Sequence, residues 1–439
     1  MKSRLLTLIA IIMGALIVGA LIYLVTQKRS QEEIGSYETG VNYPTSPIAL
    51  KLWMPSDERD NIEPIILEYN KIHPNVAIVV EYIENAQYQT RLTQAISTNT
   101  APDMFVFRND GLPLYKKGIA TAPSSVIDAN KFRSTFAEFS AKKLIIDNSI
   151  YGLPLGVATL GQIYNTQRLT DSGITTPAKD WNQFEELNKK LRKLDGANLT
   201  ESGVALGTTA IRNYPDIVSI LMMQNGAVMT NQPPTQATFE QADTTGYYAG
   251  AKALAFYASF AQPDKQNYTW NSSYGDSQNA LATDKTAINI DYPMAIKQIR
   301  KSNPDISIES ALLPQVNQTD PINYGVALTG SVSKDSKFVD IAWDFWGFTT
   351  SKPAQKIYSL QSYWPASRKD LIEDQKNDKD LGPFANQIST ANDWYKGINF
   401  QTNADFVNML NYYYSGLDAQ ITVKNASTEV TKSILLSNQ

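Results

Sequence analysis

Met104 to Phe107, four apolar residues, run directly into Arg108, Asn109, Asp110 and Gly111 in the stretch TNTAPDMFVFRNDG (98–111). A guanidinium, an amide and a carboxylate in succession are planar polar groups of the kind that hold a ligand's hydroxyls. The same four residues also make an ordinary turn, since Asn and Asp suit turns and Gly admits positive φ. A second polar turn, PSDER, follows Trp53. Rings are the complement of such groups, because the C–H faces of a polyhydroxylated ligand stack on aromatics. Of the 7 tryptophans, Trp53, Trp270, Trp364 and Trp394 sit beside polar turns and are candidate stacking residues, each equally readable as core. Trp181, Trp343 and Trp346 lie in apolar helical patterns and read as core. Tyr164 in IYN and Phe406 in NADFVNML are open to both readings.

Other chemistries find little material. The one histidine, His73, stands in a helix-ending His-Pro step, which makes it a cap or turn rather than a catalytic base. With no cysteine there is no thiol nucleophile and no sulfur-ligated metal. No phosphate-binding loop or dinucleotide fingerprint occurs. The 43 Asp and Glu residues leave a carboxylate pair for glycoside cleavage open, and Asp110 with Asp291 is the pair to test first. A net charge of -4 without any basic stripe gives nucleic acid nothing to hold.

The elements that must position these residues follow from periodicity. Strand IALKLW (48–53), a helix with Ile62, Ile65, Ile66, Tyr69 and Ile72 on one face, strand Val76–Tyr82, a helix through Tyr88, Leu92, Ala95 and Ile96, and strand DMFVF (103–107) spell β-α-β-α-β. Short connections and buried strands predict a parallel sheet between helices. Ligands of such sheets bind beyond the carboxyl ends of the strands, where Arg108, Asn109, Asp110 and the turn after Trp53 emerge. Phe184, Leu187, Leu191 and Leu194, with strand TAINI, predict a second α/β lobe. Ahead of this body, Leu5 to Val25 is an uncharged apolar run long enough to cross the ~30 Å hydrocarbon core, which predicts a membrane anchor over 1–27 rather than a cleaved leader. Residues 28–47 are polar and turn-rich, and as a flexible coil would reach on the order of 25 Å.

Quoted in order, LKLWMPSDERDNIEPIILEYNKIHPNVAIVVEY, RLTQAISTNTAPDMFVF, YGLPLGVATLGQIYNTQRL, PAKDWNQFEELNKKL, DKTAINIDYPMAI, NYGVALTGSVSKDS and AWDFWGFTTS resemble the extracellular solute-binding proteins of sugar ABC importers, the group that includes maltose-binding protein. The resemblance implies a periplasmic-binding-protein-like α/β fold with two hinge-linked lobes, parallel or mixed sheets, and a ligand between them. Lobe one would be 48–153 with 312–350 and lobe two 154–311 with 351–439, the chain crossing near Pro154, Pro314 and Ser351. Carried over by position, ligand contacts fall on Asp57, Glu58, Phe107 and Asp110, and after TAINI on Asp291 and Tyr292. At this last point the chain departs from the pattern, having Asp-Tyr-Pro-Met where the family has an aromatic after Gly-Pro. The resemblance implies a monomeric, non-catalytic protein without cofactor or metal, which binds a mono- or oligosaccharide and meets an ABC permease; the apolar run would anchor it to the cell membrane with its body on the extracellular side. A ligand-binding sensor module and an extracellular glycan-processing enzyme are the alternatives.

Overall fold

The computed structural model describes residues 37, 39–196 and 198–438, so the expected anchor over 1–27 lies outside the described residues. No helix among the described residues is long and apolar enough to cross a membrane.

Alternation builds the first strand: Ile48, Leu50, Leu52 and Met54 of β1 (Ile48–Pro55) are buried, while Ala49 and Lys51 face solvent. Helix α1 (Arg59–Ile72) covers that apolar face with Ile62, Ile65, Ile66 and Tyr69. β2 (Val76–Ile83), α2 (Asn85–Ser97) and β3 (Met104–Arg108) complete the expected unit, and β1 pairs in parallel with β2 and β3. The longer strands that come next are β4 (Leu153–Thr159), β5 (Gly161–Asn165) and β6 (Asn198–Ala205), with helix α3 (Tyr214–Gln224) after them. β7 (Thr286–Asp291), α4 (Met294–Ser302), β8 (Ile308–Ala311) and β9 (Asn323–Ser333) follow. Helices α5 (Val339–Thr349), α6 (Lys352–Ser362), α7 (Asn399–Tyr414) and α8 (Ala419–Ser437) close the chain.

The spine of the first sheet is β9, buried along its whole length. It runs antiparallel to β3 on one side and to β4 on the other, giving a seven-stranded mixed sheet that includes Ile119–Ala120 and Ala391–Asn392. A second, five-stranded sheet has the order β8, β5, β7, β6, Lys193–Asp195, also mixed. The fold therefore has two α/β lobes.

Two of the three chain crossings differ from those expected, whereas Pro314 does fall between β8 of the second sheet and β9 of the first. Pro154 lies within β4, paired with Thr329 of β9, and its carbonyl accepts from Gln355 Nε2 (3.1 Å) and Ser367 Oγ (2.6 Å). The chain stays in the first sheet until Thr159 and changes sheets at Leu160. Nor does it leave at Ser351, since α6 packs on α1 and its Tyr358 hydroxyl bonds Glu58. A later passage follows Asn392, whose short strand still pairs with β9.

The connection expected to be loose is docked where it is described. Tyr37 donates to the Asp344 carbonyl (3.1 Å) and packs edge-on against Phe348, while Thr39 and Tyr43 donate to the Asp344 carboxylate. Asp344 is fully buried among the aromatic side chains of α5, and Tyr69 is another donor to it (3.0 Å). Tyr43 also stacks on His73, with ring centroids 4.1 Å apart. His73 is the C-cap of α1, as its His-Pro context predicts.

Candidate functional site

Pro55 ends β1 and turns the chain through a 3-10 turn, Ser56–Glu58, into α1, which sets Asp57 and Glu58 at the helix N-terminus, the end favourable to negative charge. β3 ends alongside, delivering Phe107 and Arg108. Between them opens a cavity of about 250 Å³, also walled by Tyr88, Tyr115, Trp364 and Asn399. A second, more polar cavity of about 330 Å³ shares Asp57 and Asn85 with it and reaches Arg212, Asp276 and Gln278 beside the second sheet. The first cavity lies at the carboxyl ends of β1 and β3, the second beyond that of β1.

Glu58 is buried and held by three neutral donors: Tyr358 Oη at 2.6 Å, Asn61 Nδ2 at 2.9 Å and Trp364 Nε1 at 3.2 Å. Burial pushes its carboxyl above the usual range against the pull of these bonds, with Asp57 adding to the rise. Asp57 accepts from Asn85 Nδ2 at 2.6 Å.

Behind Arg108 lies a charged network that joins the lobes. Its guanidinium pairs with Asp216 on α3 (2.9 Å) and Asp110 (3.5 Å), and stands 5.7 Å from the Tyr292 ring centroid. Lys396, buried at 1% exposure, pairs with Asp216 at 2.8 Å and lies 3.9 Å from Asp110. Tyr292 donates its hydroxyl to Asp216 at 2.8 Å. Burial alone would raise the Asp216 carboxyl, but the charges of Lys396 and Arg108 override it and hold it below the usual carboxylate range. Asn109 lies underneath, its Oδ1 accepting from the Ala327 N–H (2.6 Å). Asn399 donates to Asp110 at 3.2 Å and is also bonded to Gln89 of α2. Asp291 closes β7 with donors from Asn213 (2.7 Å), Gln278 (2.9 Å), Asn289 (3.1 Å) and the Tyr292 N–H (2.8 Å). Burial raises its carboxyl to about 6.

Of the expected site residues, Asp57, Glu58, Phe107, Arg108 and Trp364 line the cavity. Asn109, Asp110, Asp291 and Tyr292 are brought beside it as supports. The other five lie elsewhere. Trp53 faces away from the buried side of β1 beneath the Arg91 guanidinium, 4.5 Å from its ring centroid. Trp270 is fully buried and stacked on Tyr274. Trp394 and Phe406 pack on one another and on Phe239 in the core. Tyr164 is a β5 residue whose hydroxyl bonds Glu309 (3.1 Å). A polar neighbour in sequence does not tell which side of a strand or turn a ring occupies.

Asn61, Tyr88, Gln89, Asp216, Lys396 and Asn399 were not singled out by sequence. Asp216 and Lys396 are 180 positions apart, so no local pattern joins them. Tyr88 reads as an apolar helix position, and indeed its hydroxyl bonds the Val106 carbonyl (2.8 Å) while its ring walls the cavity. Among the described residues no group of three or more His, Cys, Asp and Glu is placed to hold a metal ion.

Carboxylates at a helix start, a guanidinium at a strand end and cavities beside two α/β lobes are the furniture of a ligand-binding site. Residues 55–356 match the bacterial extracellular solute-binding proteins, and the chain belongs to this family. The family is one of binding proteins, not enzymes. A protein of Brucella abortus (strain 2308) described as a binding protein is 23% identical over 326 residues, 73% of this chain and 76% of its own length. Two solved structures are similar in fold. One is the GacH receptor of Streptomyces glaucescens, determined unliganded and with acarbose (TM-score 0.74, 16% identity, 89% of this chain and 99% of that one). The other is an ABC substrate-binding protein of Listeria monocytogenes in complex with cycloalternan (TM-score 0.73, 18% identity, 89% and 99%).

Proposed function

We propose that this chain captures a saccharide between its lobes outside the cell and hands it to the permease of an ABC transporter, held at the membrane by the apolar run Leu5 to Val25. The observation that carries the saccharide is the wall where the Trp364 indole, the Glu58 and Asp57 carboxylates and the Arg108 guanidinium meet in one cavity. A pyranose needs that mixture: a ring for its C–H face and planar acceptors and donors for its hydroxyls. Tyr88, Tyr115 and Asn85 extend the same surface, and Asn109, Asp110, Asp291 and Tyr292 hold its floor. The saccharides bound by the similar Streptomyces and Listeria proteins support this ligand class.

The test is a thermal-shift screen of residues 37–439 against mono- and oligosaccharides, amino acids and peptides, repeated with Asp57→Ala. A saccharide at 100 times its Kd stabilises the folded chain by about 2.7 kcal/mol, and Asp57→Ala abolishes the shift at the same concentration. Shifts with peptides or amino acids alone would overturn the saccharide. Fractionation of cells expressing the full chain, with and without residues 1–27, tests the anchor: the complete chain pellets with membranes and the truncated one does not.

A further inference from the structure

Helix α4 starts directly after Asp291, Tyr292 and Pro293 and buries Ala295, Ile296 and Ile299 in the second lobe. Lys297 leaves on a different face and reaches the first lobe. Its Nζ donates to Asn61 Oδ1 (2.9 Å) and to the Gln361 carbonyl (2.6 Å). The second acceptor lies in the last turn of α6, the negative end of that helix, where an ammonium is favoured.

The first acceptor leads to the cavity. Asn61 is buried in the first turn of α1, and its Nδ2 donates to Glu58 Oε2 at 2.9 Å. Its amide therefore points its carbonyl at the ammonium and its amino group at the carboxylate, the orientation in which each bond polarises the other. The remaining donors to Glu58 are Tyr358 and Trp364, both neutral, on α6 and just beyond it. Lys297 is the cation nearest in this hydrogen-bonded chain, and it grips the two elements, α1 and α6, that shape the Glu58 wall. Three residues along α4, Arg300 reinforces the same junction by donating to the Tyr363 hydroxyl at 3.2 Å.

We propose that Lys297 is a positioning residue for the ligand cleft: from the second lobe it supports the Glu58 carboxylate through the Asn61 amide, so that lobe closure and the ligand-facing carboxylate stabilise one another. The inference rests on the two-lobed binding reading above. Its consequence is that the closed form is favoured in part by a contact formed only when the lobes meet, and that Asn61 transmits it. A buried carboxylate raised by burial gains from such support.

The absence of cysteine makes the test direct, because two introduced cysteines are the sole labelling sites. Spin labels at Ser125→Cys and Lys190→Cys, both exposed and one on each lobe, report the interlobe distance without any ligand. Lys297→Met is expected to lengthen and broaden the distance distribution, and Asn61→Ala to do so in the same direction but no further, since it leaves the Gln361 contact in place. The double substitution adds nothing further, and Lys297→Arg restores the parent distribution. A Lys297→Met distribution identical to the parent overturns the proposal, as does an unaffected Asn61→Ala or an additive double substitution. No saccharide enters this measurement, so its outcome is separate from that of the thermal-shift screen.

Discussion

Two buried aspartates within one site carry opposite electrostatic signatures, and each has a measurable outcome. Asp291 has its carboxyl raised to about 6 by burial, opposed by Gln278, the Tyr292 N–H, Arg212 and Asn289. Between its unfolded and folded values the native chain holds a proton that the unfolded chain has lost, so stability falls as pH rises from about 4 to 6 and is flat above. The span is about 3 kcal/mol, and denaturation series across this range should show Asp291→Asn removing most of the decline. Asp216 has the opposite sign: its contribution is full above the ordinary carboxylate range and is lost only as pH falls below it. Lys396→Met leaves Asp216 and Asp110 sharing Arg108 alone, and removing one partner of a buried pair costs about 3 kcal/mol. Urea unfolding at pH 7 measures it. The joining of this network was not legible in the sequence, because Arg108, Asp216, Tyr292 and Lys396 come from four separated segments, of which only those of Arg108 and Tyr292 were singled out. The pair Asp57 and Glu58 was reached through family resemblance, and the strand end at Arg108 through periodicity. Trp270 and Trp394 misled because a polar turn beside a ring is compatible with a ring turned inward.

Periodicity reports elements best where one face is wet. β1, α1, β2 and α2 were legible for that reason, since their apolar residues recur at two or at three to four positions, while β3 was legible as a short continuous apolar run. β9 defeats the same method, being buried on both faces, and it is the strand on which the first sheet is assembled. Its Gly330 lies against α5: a Cβ there would stand 2.4 Å from the Trp346 ring, whose Nε1 donates to the Ser331 carbonyl (3.0 Å). Gly330→Ala forces the indole or the strand to move and costs about 1 to 3 kcal/mol, read as a lowered urea midpoint with unchanged slope. The crossings at Pro154 and Ser351 were carried over from the family resemblance, which does not fix where this chain leaves a sheet: Pro154 sits in β4 with its carbonyl doubly bonded. Asp344 on α5 was likewise unread as a docking point. Asp344→Ala strips Thr39, Tyr43 and Tyr69 of their common acceptor, and limited proteolysis should then cut between residues 37 and 47 faster than in the parent.

At the scale of the molecule, two mixed sheets exchange the chain through a few narrow passages and share a charged floor between them. The two-lobed plan was legible through the order of its motifs; the closeness of the lobes was not, since it depends on contacts such as Lys297 to Asn61, which are 236 positions apart. Saturating ligand should therefore narrow the interlobe distance distribution as it raises Tm, both changes following one binding curve. The docking of Tyr37, Thr39 and Tyr43 on Asp344 assigns the two halves unequal parts in this motion. Tyr37, Thr39 and Tyr43 moor the segment ahead of β1 to the first lobe, as a hull is moored at the bow. In the proposed capture the first lobe is then the stator and the second the rotor, and closure sweeps the second lobe without pulling on that segment.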